Sequence, residues 1–532
     1  MATLWEMTEA MSTQEQSLLL GGGEAGWERQ RSLGRLPVRE RLALLLDPDR
    51  PFLELGLWAA YEMYPDWGNV PAAGIVCGIG WVSGQPCLIA ANDATVKAGA
   101  MFPQSVKKLI RSQKIAHRLR VPILYLVDSA GVFLQLQDEV FPDEDDFGRI
   151  FRNNAILSAE GIPQFAAVMG NCIAGGAYLP VLCDKILMTE GSQLCLAGPA
   201  LVKAAVGQTV APEELGGATM HATVSGTIDF HEKDDAACLL RLRTLVGLLP
   251  SRGAPAVGRS PLRDGHDLYS VVPADGRGEY DVHELLNCIV DAGSFEEFKA
   301  DFARTIVTGY VRISGQPAGV VANARSRSQT ARGEVQIGGV LYGDAAEKAA
   351  RFVNDCNQNR IPLIFFQDVQ GFMVGKQAEQ TGIIQSGAQL VRAMSLATVP
   401  KLTVIVGSSF GAGHYAMCGR AYDPCLILAW PHARYAVMGG NQAADTLVSL
   451  RIRDAEKSGV PLSPEAVLEV RETIRHRYQE QTNIRYGAAR GWVDAVIAPH
   501  ETRKWLAAAL SIVATIATPA GLFCPPLTKR DV

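Results

Sequence analysis

The chain has 532 residues, more than one hydrophobic core usually supports, so two or more domains are predicted. Hydrophobic residues make up 48% of the sequence and the mean hydropathy is +0.08, which excludes a disordered or fibrous protein. The formal net charge of -5 and the pI near 6.0 provide no bulk attraction for nucleic acid.

Neither end of the sequence resembles a targeting or membrane segment. The first residues, MATLWEMTEAMSTQEQ, are acidic and lack the basic region of a signal peptide. Near the other end, WLAAALSIVATIA (505–517) has 13 residues, too few to span a bilayer, and is predicted to be a packed helix. The eleven cysteines include no CxxC pair, which argues against a zinc ribbon and favours reduced thiols in a cytoplasmic protein.

In chain order, each half alternates short apolar runs with helical stretches. A helix is predicted over 105–119 in the first half and over 344–358 in the second. Four apolar runs are predicted to be buried parallel strands: ILYLVD (123–128), FAAVMG (165–170), LIFFQD (363–368) and LTVIVG (402–407). This alternation, with glycine-rich strand ends, predicts an α/β fold with ligands at the carboxyl ends of the strands.

The two halves are predicted to be an internal duplication, because four pairs of segments recur in the same order. The pairs are 38–55 with 282–298, 82–86 with 313–317, 121–131 with 361–371, and 170–178 with 407–415. They align Asp47 with Asp291, Asn92 with Asn323, Asp128 with Asp368, Gly176 with Gly413, and Tyr178 with Tyr415. The linker is expected within 249–267, which is rich in Gly, Pro and charge, and the predicted domains are 1–270 and 271–532.

A glycine-rich turn follows an apolar strand in each half: NCIAGGA (171–177) and SSFGAGH (408–414). Small residues at such a turn allow backbone N–H groups to approach a ligand, and the following helix start adds positive potential. Two adjacent amides aimed at one point form an oxyanion hole for enolate-forming or acyl-transfer reactions. Tight strand–helix packing is the alternative explanation of a single turn, but its occurrence in both halves favours a function.

The second turn also allows a serine hydrolase as a remote alternative, because GSSFG (407–411) fits the nucleophile elbow. Its catalytic residues would be Ser409, His432 or His500 as base, and Asp423 as orienting acid. The first half has Cys172 at the position of the serine and does not repeat the elbow pattern, which disfavours this alternative.

Several longer strings resemble the carboxyltransferase subunits of biotin-dependent acyl-CoA carboxylases, and among them the β subunits of methylcrotonoyl-CoA carboxylase. The most distinctive strings are QDEVFPDEDDFGRIF (137–151), CIAGGAYLP (172–180), LAGPALVKAAVGQTV (196–210), EELGGA (213–218), GFMVG (371–375), FGAGHYAMCGRAYDP (410–424) and WPHARYAVMGGNQAA (430–444). The resemblance extends over nearly the whole chain. It implies two tandem domains of the ClpP/crotonase superfamily, a hexameric ring of subunits, and no bound metal.

The resemblance also implies which residues carry the reaction. By motif match, the amides of Gly175 and Gly176 would hold the thioester oxygen of the acyl-CoA, and those of Ala412 and Gly413 the ureido oxygen of biotin. Cofactor chemistry supplies both the carboxyl group and the base, so no catalytic dyad is expected. The other implied contacts are Val132, Phe133, Ala174, Tyr178, His414 and Tyr415 for the substrate, and Phe372 and Gly411 for biotin.

Biotin is expected to arrive on a separate protein, the α subunit that combines biotin carboxylase and biotin carrier. The reason is that the chain has no Ala-Met-Lys-Met attachment sequence and no stretch for an ATP-dependent biotin carboxylase. The resemblance implies that the acyl-CoA site of one subunit faces the biotin site of its neighbour. Neither a nucleic acid nor a membrane is an expected partner.

The predicted substrate is 3-methylcrotonoyl-CoA or a related branched alkenoyl-CoA. Relatives carry Ser-Gly-Gly-Ala where this chain has Ser129–Val132, followed by Phe133, and Asn where His414 stands. These differences leave geranyl-CoA and other branched or medium acyl-CoAs as alternatives. A propionyl- or acetyl-CoA carboxylase and a biotin-dependent decarboxylase also remain alternatives.

One helix carries three basic residues, Lys107, Lys108 and Arg111, which could contact the phosphates of CoA. A solvated helix face explains the same residues equally well. The sequence leaves both explanations open.

Overall fold

The computed structural model describes residues 2–249, 258–276, 278–330, 333–438, 440–458 and 463–513. The chain divides into two compact units. The N-terminal unit contains residues 12–253 and 488–491, and the C-terminal unit contains residues 1–11, 254–487 and 492–532. Each unit is an α/β unit with a mixed eight-stranded sheet.

The sheet of the N-terminal unit consists of β1 (Leu53–Leu55), β2 (Ile75–Val82), β3 (Gln85–Asn92), β4 (Ile123–Ser129), β5 (Gln164–Ile173), β6 (Lys185–Thr189), β7 (Gln193–Cys195) and β8 (Phe230–Glu232). The strand order is β1-β2-β3-β4-β5-β6-β8, and β7 also pairs with β5. Strands β1, β2 and β3 pair antiparallel, whereas all pairs from β3 onwards are parallel.

The strands of the C-terminal unit are β9 (Glu296–Glu297), β10 (Ile306–Ile313), β11 (Gln316–Asn323), β12 (Ser328–Gln329), β13 (Val335–Gln336), β14 (Val340–Leu341), β15 (Leu363–Val369), β16 (Gly371–Phe372), β17 (Lys401–Phe410), β18 (Leu426–Ala429), β19 (Arg434–Ala436) and β20 (Ala495–Val496). The main sheet has the order β9-β10-β11-β15-β17-β18-β20, with β19 on β17. In this sheet, the β9–β10 and β10–β11 pairs are antiparallel and the other pairs are parallel. Both sheets therefore share one strand order and one set of strand directions. Strand β12 pairs with β13, and β14 with β16.

The helices are α1 (Leu4–Leu19), α2 (Gly23–Ser32), α3 (Val38–Leu45), α4 (Pro103–Leu119), α5 (Phe147–Ala159), α6 (Tyr178–Val181), α7 (Pro199–Val206), α8 (Pro212–Gly216), α9 (Ala218–Met220), α10 (Asp235–Gly247), α11 (Leu268–Val271), α12 (Val282–Asn287), α13 (Gly343–Gln358), α14 (Lys376–Gln380), α15 (Ile383–Leu396), α16 (Gly411–Ala416), α17 (Gly440–Lys457), α18 (Pro464–Gln481), α19 (Ile484–Ala489) and α20 (Thr502–Val513). Within the described ranges, none of them is long and apolar enough to cross a membrane.

The structure confirms the strands and helices predicted from periodicity. Strands β4 and β15 begin at the predicted residues, and β5 and β17 extend the predicted runs to ten residues each. Helices α4 and α13 cover the two predicted helices. The predicted C-terminal helix is present as α20, although residues 514–517 lie outside the described residues, as do residues 250–257 of the predicted linker.

Each unit has its own apolar core between the sheet and its helices. Every residue of β4 and of β15 is buried, because both strands are central and covered on both faces. Leu124 and Leu126 of β4 belong to a cluster that includes Leu242 of α10. Phe365 of β15 belongs to a cluster that includes Phe352 of α13. The cores therefore hold the carboxyl ends of the central strands at one edge of each sheet.

The aligned residues Asp47 and Asp291 make equivalent hydrogen bonds, each in its own unit. Asp47 accepts hydrogen bonds from the amides of Ser83 (3.0 Å) and Gly84 (2.7 Å), in the turn between β2 and β3. Asp291 accepts hydrogen bonds from the two amides of the equivalent turn between β10 and β11, both at 2.8 Å. Each carboxylate also pairs with an arginine, at 2.9 Å for Asp47 and 2.7 Å for Asp291. These aspartates hold the two antiparallel hairpins.

Neither explanation offered for the basic residues of α4, contact with CoA or a solvated helix face, fits Lys108. Lys107 is exposed, but Lys108 is buried, and its Nζ donates hydrogen bonds to the carbonyls of Ala72 (2.9 Å) and Ile75. The equivalent lysine of the C-terminal unit, Lys348, is also buried and binds two backbone carbonyls at 2.9 Å. Burial lowers the pKa of Lys348 to about 8 and also lowers the pKa of Lys108. Both lysines hold their helix to the sheet.

Candidate active site

The first glycine-rich turn follows β5 at the carboxyl edge of the N-terminal sheet. Residues Ala174–Ala177 form one turn of 3-10 helix and lead directly into α6. Ala174 has a φ of 64°, in a left-handed conformation that non-glycine residues rarely adopt. Gly175 and Gly176 follow at partly exposed positions, and the first amides of a helix have no acceptor within it. The amide of Gly175 therefore has no acceptor within the turn and is available to an oxygen of a ligand, whereas the amide of Gly176 is at the position from which a 3-10 turn donates to the carbonyl of Ile173.

A small cavity of about 40 Å³ lies beside this turn. Its lining residues are mostly apolar and include Ile75, Met101, Leu109, Tyr125, Phe147, Cys172, Gly176 and Leu179. A Cβ atom added at Gly176 would meet no heavy atom within 4 Å. The glycine at this position is therefore not required by packing, and the cavity has room for a small apolar group.

Val132, Phe133 and Tyr178, which were predicted to contact the substrate, have different surroundings. Val132 forms an isolated β-bridge with Met101, which lines the cavity. The ring of Phe133 stacks on Phe102 with ring centroids 4.2 Å apart, and Phe133 is absent from the described lining of the cavity. Tyr178 is 51% exposed. Phe133 therefore packs in a neighbouring apolar cluster, and its predicted contact with the substrate stays a prediction.

The second glycine-rich turn follows β17 and repeats this geometry in the C-terminal unit. Helix α16 begins at Gly411, which has a φ of 56°, matching the left-handed Ala174 at the aligned position. Ala412 is exposed at the second position of this helix, where its amide has no acceptor within the helix. Gly413 is buried, and an added Cβ would lie 2.5 Å from Cγ2 of Val369. Packing therefore requires the glycine at 413, in contrast to Gly176.

A larger cavity, of about 460 Å³, opens beside the second turn. Its lining combines Ser409, Gly411, Ala412, His414 and Tyr415 with Tyr435, Ala436 and Val437 from the region of β19, Tyr478, Gln481 and Thr482 from the end of α18, and Trp492. Four aromatic side chains thus line the same cavity as Ala412. This arrangement suits a flat ring system that carries one hydrogen-bond acceptor.

Sequence reasoning missed three of these aromatic residues, Tyr435, Tyr478 and Trp492. Tyr435 lies within a string that carries the family resemblance, but its spacing alone does not show that it faces the second turn. Conversely, Phe372 is absent from the described lining of this cavity and packs partly buried against the core, close to Gly387.

A chain of hydrogen bonds fixes the orientation of His414. Gln367 donates from Nε2 to the carbonyl of Met417 (2.6 Å), so its Oε1 accepts the hydroxyl proton of Ser409 (2.7 Å). The Nδ1 of His414 lies 2.8 Å from the Ser409 hydroxyl oxygen, and donates to it because the hydroxyl proton is already used. Burial lowers the pKa of His414 to about 4, so the ring is neutral at pH 7. His414 is therefore held as a neutral wall of the cavity.

The same contacts argue against the serine hydrolase. Ser409 is 1% exposed, and its histidine neighbour is His414 rather than the predicted His432 or His500. His500 instead lies 2.8 Å from the hydroxyl of Tyr269. A buried hydroxyl that donates to an amide oxygen is not a nucleophile ready to attack.

His432 is buried, and both of its ring nitrogens lack a hydrogen-bond partner among the described residues. Burial lowers the pKa of His432 to about 4, whereas an ordinary histidine titrates near 6.5. As the pH falls, the unfolded chain therefore takes up the proton first, and stability is lost between pH 6.5 and 4. Between pH 7 and pH 5, we expect the free energy of unfolding to fall by about 2 kcal/mol less in His432→Leu than in the wild type.

Denaturant unfolding at pH 7 and pH 5 measures this difference. The exposed His476 provides a matched control, and His476→Leu should retain the pH dependence of the wild type. An unchanged pH dependence in His432→Leu would contradict the prediction.

No group of three or more His, Cys, Asp or Glu side chains that could hold a metal ion occurs in the described ranges. The ten cysteines described there are not in disulfides and are buried or partly buried.

Comparison with known proteins supplies the reaction class. The profile of the carboxyl transferase domain family matches residues 29–520. The chain is 46% identical over 500 residues to the biotin-dependent 3-methylcrotonyl-coenzyme A carboxylase beta1 subunit of Mycobacterium tuberculosis, covering 93% of this chain and 92% of that protein. It is 43% identical over 507 residues to the mitochondrial methylcrotonoyl-CoA carboxylase beta chain of Arabidopsis thaliana, covering 93% and 84%. The beta subunit of P. aeruginosa geranyl-CoA carboxylase matches with a TM-score of 0.87 at 36% identity, covering 97% of this chain and 94% of that chain.

Proposed function

Because the chain belongs to the carboxyl transferase family and is the carboxyltransferase of a biotin-dependent acyl-CoA carboxylase, we propose that its two glycine-rich turns bind the two reactants. The turn at Gly175 and Gly176 would bind the acyl-CoA, and the turn at Ala412 and Gly413 would bind biotin. The observation that carries this assignment is the pair of turns with matching left-handed starts, each with an early amide (Gly175 and Ala412) that has no acceptor in its own helix. The first turn adjoins a small apolar cavity and the second a larger aromatic cavity.

The residues of the second cavity fit a biotin ring. Its volume of about 460 Å³, its aromatic walls and the exposed amide of Ala412 suit a compact bicyclic urea whose oxygen accepts a hydrogen bond. When bound, biotin carboxylated on its ureido nitrogen would supply the carboxyl group and, once that group has left, the base. The chain itself supplies amides that stabilise negative charge on the ureido oxygen.

At the first turn, the amides of Gly175 and Gly176 would donate to the thioester oxygen as the substrate loses a proton. Negative charge then accumulates on that oxygen, and hydrogen bonds that strengthen with the charge lower the barrier. The same amides serve a proton removed from the α carbon or from the γ carbon of an unsaturated acyl group. The cavity walls must therefore select the acyl chain.

We propose 3-methylcrotonoyl-CoA, or a related branched alkenoyl-CoA, as the substrate. Support comes from the names of the two curated relatives and from the small apolar cavity beside Gly176, which suits methyl groups. Geranyl-CoA is the second candidate, because one similar solved structure is a geranyl-CoA carboxylase subunit. Propionyl- or acetyl-CoA carboxylation and the reverse decarboxylation would use the same pair of turns.

An acyl-CoA panel tests this assignment, with the chain assembled with its biotin-bearing partner and ATP-dependent carboxylation as the readout. We expect kcat/KM for 3-methylcrotonoyl-CoA to exceed that for propionyl-CoA about 10- to 200-fold, the discrimination that an apolar pocket can provide. A higher kcat/KM for geranyl-CoA would select the second candidate. A preference for propionyl-CoA or acetyl-CoA would contradict the proposal.

We further propose that the biotin resides on a separate α subunit and that the chain forms a homo-hexamer, in which the first turn of one copy faces the second turn of its neighbour. The two domains, 1–270 and 271–532, would be crotonase-like and related by duplication, which the common strand order of the two sheets supports. A cytoplasmic location is supported by the described cysteines, none of which is in a disulfide. Mass photometry of the chain alone and with its partner tests the assembly.

A further inference from the structure

In each unit, the strand that leads to the glycine-rich turn is irregular just before the turn. Between β4 and β5, Val127 pairs with Val168 and Ser129 pairs with Cys172. Strand β5 thus contains two more residues than β4 in this interval. Such a bulge redirects the end of a strand, and here it lies immediately before the turn that carries Gly175 and Gly176.

The side chain of Asp128 fills the bulge of the N-terminal unit. The carboxylate is buried and accepts a hydrogen bond from the amide of Asn171 (3.1 Å), within the bulge. Gly170, the preceding residue, leaves the necessary space, because an added Cβ would lie 2.0 Å from Cγ of Asp128. The amide of Asp128 itself donates to Oδ1 of Asn92 at 3.4 Å. One carboxylate therefore ties two strands together where β5 bends into the turn.

The C-terminal unit repeats each of these contacts around Asp368. Strand β17 also gains two residues against β15, and the amide of Ser408 donates to Asp368 at 2.8 Å. An added Cβ at Gly407 would lie 2.4 Å from Cγ of Asp368, and the amide of Asp368 donates to Oδ1 of Asn323 at 3.1 Å. The residues around the aspartates differ between the units, but the Asn, Asp and Gly that make the bulge do not.

The cations that face the two aspartates are not equivalent. Arg41 of α3 lies 3.3 Å from Asp128 and Arg35 lies 3.5 Å from it, whereas Arg325, which follows β11, lies 3.3 Å from Asp368. Tyr280 also donates to Asp368 at 3.2 Å. Burial raises the pKa of both aspartates, and the arginines oppose that rise. A buried ion pair is weak evidence for stability, since burying the charges offsets their attraction. The feature common to both units is the carboxylate in the bulge, not a particular ion pair.

We propose that Asp128 and Asp368 are positioning residues, which hold the two bulges so that the amides of the following turns point at the oxygens of the reactants. Each aspartate acts on its own turn: Asp128 on Gly175 and Gly176, and Asp368 on Ala412 and Gly413. The inference rests on the proposed roles of the two turns. It explains why a buried carboxylate is present beside both turns although neither aspartate is in the described lining of the cavities.

The test compares Asp128→Asn and Asp368→Asn with two matched controls, Asp47→Asn and Asp291→Asn. The control aspartates also accept hydrogen bonds from backbone amides and pair with arginines. They do so at the β2–β3 and β10–β11 hairpins, however, and not beside the glycine-rich turns. Each variant is assembled with its biotin-bearing partner, and kcat, KM and the thermal midpoint are measured. We expect kcat to fall about 10- to 100-fold in the Asp128 and Asp368 variants, because a displacement of about 1 Å can cost that much. The controls should keep kcat within about twofold at a similar loss of thermal stability.

Hydrogen–deuterium exchange separates positioning from general loosening. Asp128→Asn should speed exchange in peptides covering 171–178 and leave 408–415 unchanged, whereas Asp368→Asn should do the reverse. If either variant does not fold, Asn92→Ala and Asn323→Ala weaken the same bulges and are assessed in the same way. The proposal is overturned if kcat falls no further in the turn-side variants than in controls of equal thermal stability. If Ala412→Pro, which deletes a turn amide, leaves kcat unchanged, the role of the turn itself fails instead.

Discussion

Replacing Ala412 by proline should abolish most of the carboxyl transfer while leaving the fold intact. Ala412 occupies the second position of α16, where its N–H has no acceptor within the helix and where proline is tolerated. The preceding Gly411 has no Cβ to collide with the proline ring. If this amide stabilises charge on the ureido oxygen, its loss should lower kcat about 100- to 1000-fold, or about 2.7–4 kcal/mol of barrier.

Ala412→Ser provides the matched control, because it changes the side chain and keeps the amide. We expect kcat of Ala412→Ser to stay within about threefold of the wild type, and the thermal midpoints of both variants to agree with it. Equal rates for the proline and serine variants would show that the amide of Ala412 does not take part.

Gly170→Ala should produce a large loss of stability. An added Cβ would lie 2.0 Å from Cγ of Asp128, in the buried bulge between β4 and β5. The carboxylate would have to leave both the amide of Asn171 and Arg41. Overpacking combined with a broken buried pair costs about 3 to 5 kcal/mol, which denaturant unfolding measures.

The control is Gly148→Ala in α5, an exposed glycine at which an added Cβ meets no heavy atom within 4 Å. Alanine is favoured over glycine in a helix by about 1 kcal/mol, so this variant should be as stable as the wild type or more stable. If Gly170→Ala unfolds at the same denaturant concentration as Gly148→Ala, the bulge is more adaptable than its packing indicates.

The sequence predicted the strands, the helices and the repeated order because periodicity and glycine turns are local properties. Asp47 and Asp128 could be aligned with their partners for the same reason, although their different structural roles could not be inferred. The three wall residues Tyr435, Tyr478 and Trp492 come from separate elements, and only the folded chain brings them to one cavity.

Side chains with two plausible environments were the harder cases. Lysine is usually a surface residue, but the position of Lys108 on α4 directs its side chain to the carbonyls of Ala72 and of Ile75, the first residue of β2. His414 was expected at the second turn, but its bond to Ser409 depends on the direction of one side chain relative to Gln367. No pattern along the sequence encodes that direction.

The relative reactivity of the adjacent lysines of α4 shows whether the N-terminal unit is folded. Lys107 faces solvent, whereas the amino group of Lys108 is enclosed and bonded to two carbonyls. An amine-reactive label, or a reactive thioester encountered during turnover, would therefore modify Lys107 and spare its neighbour as long as the helix stays docked. The ratio of the two modified forms in a digest would report partial opening of the unit in working enzyme.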